Sequence, residues 1–194
     1  MPQVTRESLM TLEAYARARP EFRTKVIAHK KRRTVRLGQH MTLLFEDELT
    51  VRYQIQEMLR IEKIFEDDGI AHELESYNPL IPSGTNLKAT MLIEYEDAEV
   101  RKRELAQLKG IEDRVWLQVE GCPKVWPIAD EDLERENEQK TSSVHFLRWE
   151  LNPEMVAALK YGVSLSMGVD HPHYQAELAP VHDETRNALA ADLA

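Results

Sequence analysis

Apolar residues in the first half of the chain recur at the spacing of a helix. Between residues 47 and 67 they follow one another in steps of three and four, which places them along one side of a helix. The members of this stripe are Val51, Ile55, Met58, Leu59 and Phe65. Gly69 follows them as a stop signal. Residues 5–35 predict further N-terminal helices, with Pro20 as the first residue of the second one.

The second half of the chain changes to alternating apolar and polar positions, which predict strands. The predicted strands are 87–95, 114–120, 124–128, 143–151 and 162–169. The predicted helices between and after them are 98–108, 130–139, 153–161 and 184–193. Residues 41–45 are either a short strand or the entry to the long helix. Helices first and a hairpin-bearing sheet second predict an α+β fold, a single domain over residues 1–194 with a mainly antiparallel sheet across 85–170.

The connection between the last two predicted strands is short. Residues 152–161 include a helix, whereas a parallel crossover normally needs a dozen or more residues. We therefore expect these two strands to be antiparallel neighbours. Their shared apolar face comprises Leu147, Trp149, Leu165 and Met167. This face is expected to pack on the long helix through Ile55 and Met58.

The same pairing would bring histidines together at one edge of the sheet. His145 lies near the start of the first strand, and His171 and His173 follow the end of the second. Imidazoles with a carboxylate such as Asp170 are ligands for zinc or non-haem iron, or form an acid–base pair. The alternative is that residues 170–173 form a turn in which Asp170 caps backbone amides.

Two glutamates, Glu57 and Glu62, border the apolar stripe of the long helix. Carboxylates in such a position can have a raised pKa or bind a metal. The alternative is pairing with a neighbouring arginine such as Arg52 or Arg60. The predicted helix contains no histidine that would complete a di-iron motif, so pairing is the favoured interpretation.

Composition excludes several classes of protein. The chain has 194 residues, of which 30% are charged and 42% hydrophobic, and these fractions are typical of a globular domain. Its single cysteine, Cys122, excludes internal disulfides and cysteine-rich metal sites, and favours the cytoplasm. The formal net charge of −9 disfavours nucleic-acid partners. No apolar run is long enough for a membrane span, so we expect no membrane partner.

One basic segment stands out against this acidic background. Residues 23–36 contain seven lysines and arginines and no acidic residue. This segment predicts docking on an acidic protein surface through Lys30, Lys31, Arg32 and Arg33. The acidic surface would belong to a partner or to the chain's own residues 130–132, and a solvated helix face is the alternative. The loop at residues 77–84, with its two prolines, is a second candidate partner surface.

Several long strings of residues resemble a known family. They lie at 43–47, 54–60, 77–82, 89–95 and 140–148. They are similar to the bacterial family catalogued as domain of unknown function 3501. The resemblance implies no activity, but associates such proteins with genes for rubrerythrin-like di-iron proteins and cysteine-rich iron–sulfur oxidoreductases.

Two functions are therefore expected. The first is a cytosolic accessory protein of a redox or peroxide-stress system, which binds a protein partner such as a rubrerythrin-like or iron–sulfur protein. The second is a metal-dependent or acid–base enzyme, with zinc or iron as the possible cofactor. Its site would contain His145, Asp170, His171 and His173.

Overall fold

The computed structural model describes residues 3–137 and 139–194, which form an α+β fold with two antiparallel sheets. The strands are β1 Thr34–Leu37, β2 Met41–Phe45, β3 Asn86–Ile93, β4 Val115–Val119, β5 Ile128–Ala129, β6 Val144–Glu150, β7 Leu165–His171 and β8 Tyr174–Leu178. The α-helices are α1 Leu12–Lys31, α2 Glu48–Glu62, α3 Asp67–Tyr77, α4 Ala98–Gln107, α5 Pro153–Lys160 and α6 Asp183–Ala190. Short 3₁₀ turns lie at Arg6–Ser8, Asn78–Leu80 and Ile111–Arg114.

The two sheets pack face to face around the main core. The larger sheet has the order β1-β2-β3-β6-β5, and the smaller has the order β4-β7-β8. Alternate residues of β2, β3 and β6 are buried, as expected for strands with one face in a core. Residues from both sheets, such as Leu43, Leu147, Leu117 and Met167, belong to one apolar cluster. Helices α4, α5 and α6 contribute further residues to this cluster.

The predicted pairing of the last two strands is wrong. Strand β6 pairs with β3 and β5, whereas β7 pairs with β4 and β8. The short connection does exclude a parallel crossover within one sheet, but it lets the chain pass from one sheet to the other. Helix α5 makes this passage and buries Met155 and Leu159 in the core between the sheets. The two strands therefore contribute to the core from opposite sides.

Trp149 is buried, as the alternation predicts, but its neighbours are not those expected. Its indole N–H donates to the carbonyl oxygen of Val115 in the other sheet, at 2.9 Å, and its ring lies 5.7 Å from that of Phe45. The long helix instead contributes Ile55 to a second, smaller core. The other buried residues of this core are Val4, Leu9, Val51, Leu59, Ile70 and Ile81.

The helix predicted at 47–67 ends five residues early, and a separate helix, α3, begins at Asp67. Helix α2 ends at Glu62, and Lys63 adopts the left-handed conformation with φ 56°. The backbone N–H of Lys63 donates to the carbonyl of Leu59, which closes the last turn. Gly69, predicted as the stop, lies inside α3, and Phe65 is 69% exposed. Aspartates at 67 and 68 start α3 because acidic side chains stabilise a helix N-terminus.

Other element predictions need correction. Residues 5–35 form a 3₁₀ turn, one continuous helix around Pro20, and the start of β1. Because proline has no backbone N–H, Pro20 cannot donate to the carbonyl oxygen of Ala16. Both residues are exposed, so water can donate to that oxygen instead. The described residues of 130–139 form no helix because this charged segment has no apolar stripe; Glu138 lies outside the described residues. Strand β8, which the sequence pattern did not predict, pairs with β7 across a tight turn at 172–173.

Glu57 is held by three neighbours, as the pairing interpretation predicted. Arg19 donates two hydrogen bonds to its carboxylate, at 2.7 and 3.0 Å. The Tyr15 hydroxyl donates one at 2.6 Å, and Arg60 donates one at 3.1 Å. The hydrogen bonds from Arg19 are the largest contribution, and together these donors lower the pKa of Glu57 to about 2. The network ties α1 to α2.

This pKa predicts a loss of stability in acid. Because the folded pKa lies below the ordinary value of 4.5, the contribution of Glu57 is complete above pH 4.5 and declines as the pH falls toward 2. Glu57→Gln should lower the free energy of unfolding by about 2 kcal/mol at pH 7. The difference from wild type should shrink between pH 4.5 and 2. Urea unfolding at pH 7 and at several values between pH 4.5 and 2 measures the loss of stability and its decrease. A difference between the two proteins that does not change with pH would contradict the pairing.

Candidate functional site

A groove crosses the outer face of the larger sheet, which the main core does not cover. It encloses about 470 Å³ between the C-terminal end of α3 and residues 131–135. An adjoining cavity of about 250 Å³ continues it toward α1 and α2. Both parts share Glu46, Tyr77, Leu80 and Phe146 as lining residues. We call this continuous surface the outer groove.

Lys88 is the cation at the floor of the outer groove. It belongs to β3, and its ammonium donates to the carbonyl oxygen of Pro79 at 2.6 Å. Within the described part of the chain, no carboxylate lies within ion-pair distance of it. Burial, and then the neighbouring Arg148 guanidinium, lower the pKa of Lys88. Arg148 itself pairs with Glu131 and Glu150, and these two carboxylates, beyond ion-pair distance from Lys88, partly oppose the lowering of its pKa.

Glu46 is the buried acid where the two parts of the groove meet. Its carboxylate accepts hydrogen bonds from the hydroxyls of Thr50 and Thr90. These bonds connect β3 to the first turn of α2. The floor of the groove is therefore fixed by hydrogen bonds, and its walls include the apolar side chains of Tyr77, Leu80 and Phe146.

Only part of the basic segment at residues 30–33 is exposed at the surface. Lys31 and Arg32 are exposed, and Lys30 is half-buried with its ammonium 5.4 Å from the ring centre of Tyr53. Lys30 also lines one end of the outer groove. Arg33 is different, because only 2% of its surface is exposed.

Arg33 is a structural residue, and its assignment to a partner surface is wrong. The chain leaves α1 and enters β1 at this point, which turns the guanidinium inward. It donates to the carbonyl oxygens of Phe45 and Glu46, each at 3.0 Å. It also forms a two-bond ion pair with Asp192 near the C-terminus and lies 3.5 Å from Asp47.

The predicted set of metal ligands is not assembled. His145 is fully buried on β6, in the other sheet from β7, which ends at His171. His171 is also buried, and its Nε2 lies 3.0 Å from the carbonyl oxygen of Lys109. Asp170 and His173 are exposed. Among the described side chains, neither they nor His171 belong to a group of three potential ligands.

His145 has different carboxylate neighbours, Asp130 and Glu112. One possible ligand atom from each of the three residues lies within 4.8 Å of the others. His145 Nδ1 is 2.6 Å from Asp130 Oδ2, and its Nε2 is 3.0 Å from the carbonyl oxygen of Ser142. The Thr141 hydroxyl also lies 3.0 Å from Nε2. Because the Asp130 carboxylate and the Ser142 carbonyl both accept hydrogen bonds, either ring nitrogen of His145 has an acceptor for its proton.

The local backbone explains why Asp130 points at His145. Asp130 follows β5 and leaves the strand ladder in the left-handed conformation, with φ 48°. Its backbone N–H donates to the carbonyl of Phe146, and its Oδ1 accepts from the Phe146 N–H at 2.9 Å. Aspartate tolerates this conformation better than most residues. Oδ1 also pairs with Arg135 at 3.1 Å, which leaves Oδ2 directed at His145.

Glu112 completes the cluster from the 3₁₀ turn before β4. Its Oε2 is buried and has no hydrogen-bond partner among the described residues. Burial raises the pKa of Glu112, and a backbone hydrogen bond to its carboxylate and then the nearby His145 partly oppose this shift. Sequence reasoning singled out His145 but missed both carboxylates. Asp130 stood in a predicted helix, and nothing in the pattern marked Glu112.

Comparison with known proteins places the chain in a family. The sequence profile of the family described as "Protein of unknown function (DUF3501)" matches residues 3–193. A crystal structure of a novel protein of unknown function from Burkholderia pseudomallei K96243 is similar over 100% of both chains, with 56% identity and a TM-score of 0.95. No curated protein matches the chain. Across the described residues, no helix is both long and apolar enough to cross a membrane. Because the profile covers essentially its whole length, the chain belongs to the DUF3501 family.

Proposed function

We propose that this protein is a non-catalytic accessory protein that binds a protein partner in the outer groove. The observation that carries this proposal is that the groove joins both segments from which the sequence predicts partner binding. Tyr77 and Leu80, from the loop that contains the two prolines, line it. Lys30, from the basic segment, lies at one end.

The chemistry of the groove favours an extended segment of the partner with a carboxylate between apolar side chains. Leu80 and Phe146 offer apolar surface, and Leu133 at the wall is 54% exposed. Burial of such surface on both partners would drive association. A carboxylate would pair with Lys88, whose desolvation is not offset by any ion pair that the structure describes.

We further propose that the partner belongs to a redox or peroxide-stress system in the cytoplasm. A rubrerythrin-like or iron–sulfur protein is the first candidate because the resemblance described above associates this family with such genes. The exposed Lys31 and Arg32 beside the groove would attract an acidic partner surface. The enzyme alternative has less support from the geometry, since His145 belongs to a different sheet from Asp170, His171 and His173, which lie at or just after the end of β7.

Substitution of Lys88 tests the groove directly. Lys88→Gln should weaken binding of the rubrerythrin-like protein by about 30-fold or more, because one member of a desolvated charge pair is lost. Isothermal titration calorimetry measures this affinity. Lys102→Gln is the matched control, since Lys102 is exposed on α4 and lies outside the groove. Equal affinities of the two variants would overturn the proposed site.

A second pair of variants avoids any effect on folding. Leu133→Ser removes an exposed apolar side chain from the wall of the groove and should also weaken binding. Reversal of Lys31 and Arg32 to Glu should weaken binding at low salt and have less effect at high salt, because salt screens exposed charges. Arg33 is left unchanged because it is buried. Wild-type affinity in both variants would contradict the proposed surface, even if Lys88→Gln unfolds.

A further inference from the structure

We propose that Glu112, Asp130 and His145 form a binding site for a divalent transition-metal ion of the zinc type. These residues come from three separate elements: the 3₁₀ turn before β4, the turn after β5, and β6. Their possible ligand atoms lie within 4.8 Å of one another. This site does not depend on the function proposed for the outer groove.

The donor set suits such an ion. Zinc binds histidine nitrogen at about 2.0–2.1 Å and carboxylate oxygen at about 2.0–2.2 Å in a tetrahedral arrangement, so two ligand atoms on one ion are about 3.4 Å apart. The three ligand atoms lie within 4.8 Å of one another, so the widest pair would move closer by up to about 1.4 Å when an ion binds. The 2.6 Å contact between His145 Nδ1 and Asp130 Oδ2 would widen by less than about 1 Å to admit the ion.

Polar contacts around the cluster orient two of the three proposed ligands, His145 and Asp130. With an ion on Nδ1, the Nε2–H of His145 would donate to the Ser142 carbonyl at 3.0 Å; metal-bound histidines commonly have such a backbone partner. The Phe146 N–H and Arg135 occupy Asp130 Oδ1, which leaves Oδ2 free to bind the ion. This arrangement holds the imidazole and one carboxylate in place from outside.

The burial of Glu112 is a second, independent observation in favour of the metal site. Its Oε2 is buried without a hydrogen-bond partner in the described part of the chain, although buried carboxylate oxygens are nearly always satisfied. A purely structural His145–Asp130 pair gives no reason to bury a second carboxylate beside it. A divalent cation would satisfy this oxygen and offset the two negative charges.

The site also differs from an oxygen-only cation site. Mg²⁺ and Ca²⁺ bind almost entirely through oxygen, whereas one of the three donors here is an imidazole nitrogen. Zn²⁺ should therefore bind and Mg²⁺ should not. The ion would connect the turn before β4 to the turn after β5. It would also fix Asp130 next to residues 131–135, which form one wall of the groove.

Zn²⁺ titration of the chelator-treated full-length protein tests the site. We expect one ion per chain, and at about 100 times Kd a rise in Tm of about 5–10 °C, because the ion binds only the folded state. Equal concentrations of Mg²⁺ should give no rise. A rise with Mg²⁺ equal to that with Zn²⁺ would overturn the proposed donor set.

Variants separate this site from adventitious binding at surface histidines. Glu112→Gln should weaken Zn²⁺ binding at least about tenfold. Asp113→Asn, an exposed carboxylate in the same turn, and His173→Asn, an exposed histidine, should bind as wild type. Equal affinity of Glu112→Gln and wild type would overturn the proposal.

A crystallographic measurement does not depend on any variant. Crystals of the wild-type protein soaked in Zn²⁺ should show an anomalous peak within bonding distance of His145 Nδ1, Asp130 and Glu112. A peak only at exposed histidines, or no peak at a concentration that saturates the titration, would show that the buried cluster does not bind the ion.

Discussion

Arg33→Ala should lower the free energy of unfolding by about 3–5 kcal/mol, because it leaves a buried carboxylate without its cation. Asp192 is the main partner, and burial already raises its pKa despite the hydrogen bonds from Arg33. The same substitution removes donors from the carbonyls of Phe45 and Glu46. Since domains are typically stable by only about 5–15 kcal/mol, this variant should be close to unfolding at 37 °C. Urea unfolding at pH 7 measures the loss.

Two further variants identify the cause of that loss. Arg33→Lys keeps the charge but loses the paired geometry of the guanidinium, so its effect should be intermediate. Arg33→Met combined with Asp192→Leu removes both charges and should recover much of the stability, because apolar side chains can replace a buried ion pair. A loss below about 1 kcal/mol in Arg33→Ala would show that Arg33 does not hold the C-terminal helix to the sheet.

Trp149→Ala should cost about 3–5 kcal/mol through the cavity left in the main core. The indole is 1% exposed and packs between the two sheets. Its loss also removes the hydrogen bond to the Val115 carbonyl, which links β6 to β4. The midpoint of chemical denaturation should therefore fall, and the variant should expose more apolar surface to a fluorescent dye.

Trp149→Phe is the matched variant for the hydrogen bond. It keeps most of the apolar volume but cannot donate to Val115, so its cost should be smaller than that of Trp149→Ala. A denaturation midpoint of Trp149→Ala equal to wild type would contradict the packing of the two sheets around this side chain.

The candidate sites show where sequence reasoning stops. His145 was identified from the sequence, but its predicted partners followed from a strand pairing that the fold does not contain. The alternation of apolar residues predicts which residues face a core. Neither this alternation nor the length of the connection shows whether the two strands belong to one sheet or to two. Asp130 and Glu112 reach His145 only because β5 pairs with β6 and the 3₁₀ turn packs beneath them.

The burial of Arg33 also could not be predicted from the sequence. A run of basic residues predicts an exposed surface, and this holds for Lys31 and Arg32. The position of Arg33 at the junction of α1 and β1 turns its side chain inward toward Asp192, which lies 159 residues away in the chain. No local pattern encodes such a contact, because its energy depends on groups that meet only in the folded state.

The α+β class, most strand and helix positions in the second half, the burial of Trp149 and the family can all be predicted from the residues alone. These follow from local propensity and hydrophobic periodicity, which act over a few residues. Tertiary contacts set the division into two sheets, the end of α2 at Glu62, the outer groove, and the cluster of Glu112, Asp130 and His145. These depend on contacts between distant segments, whose geometry is set by packing of the whole core rather than by any short stretch of residues.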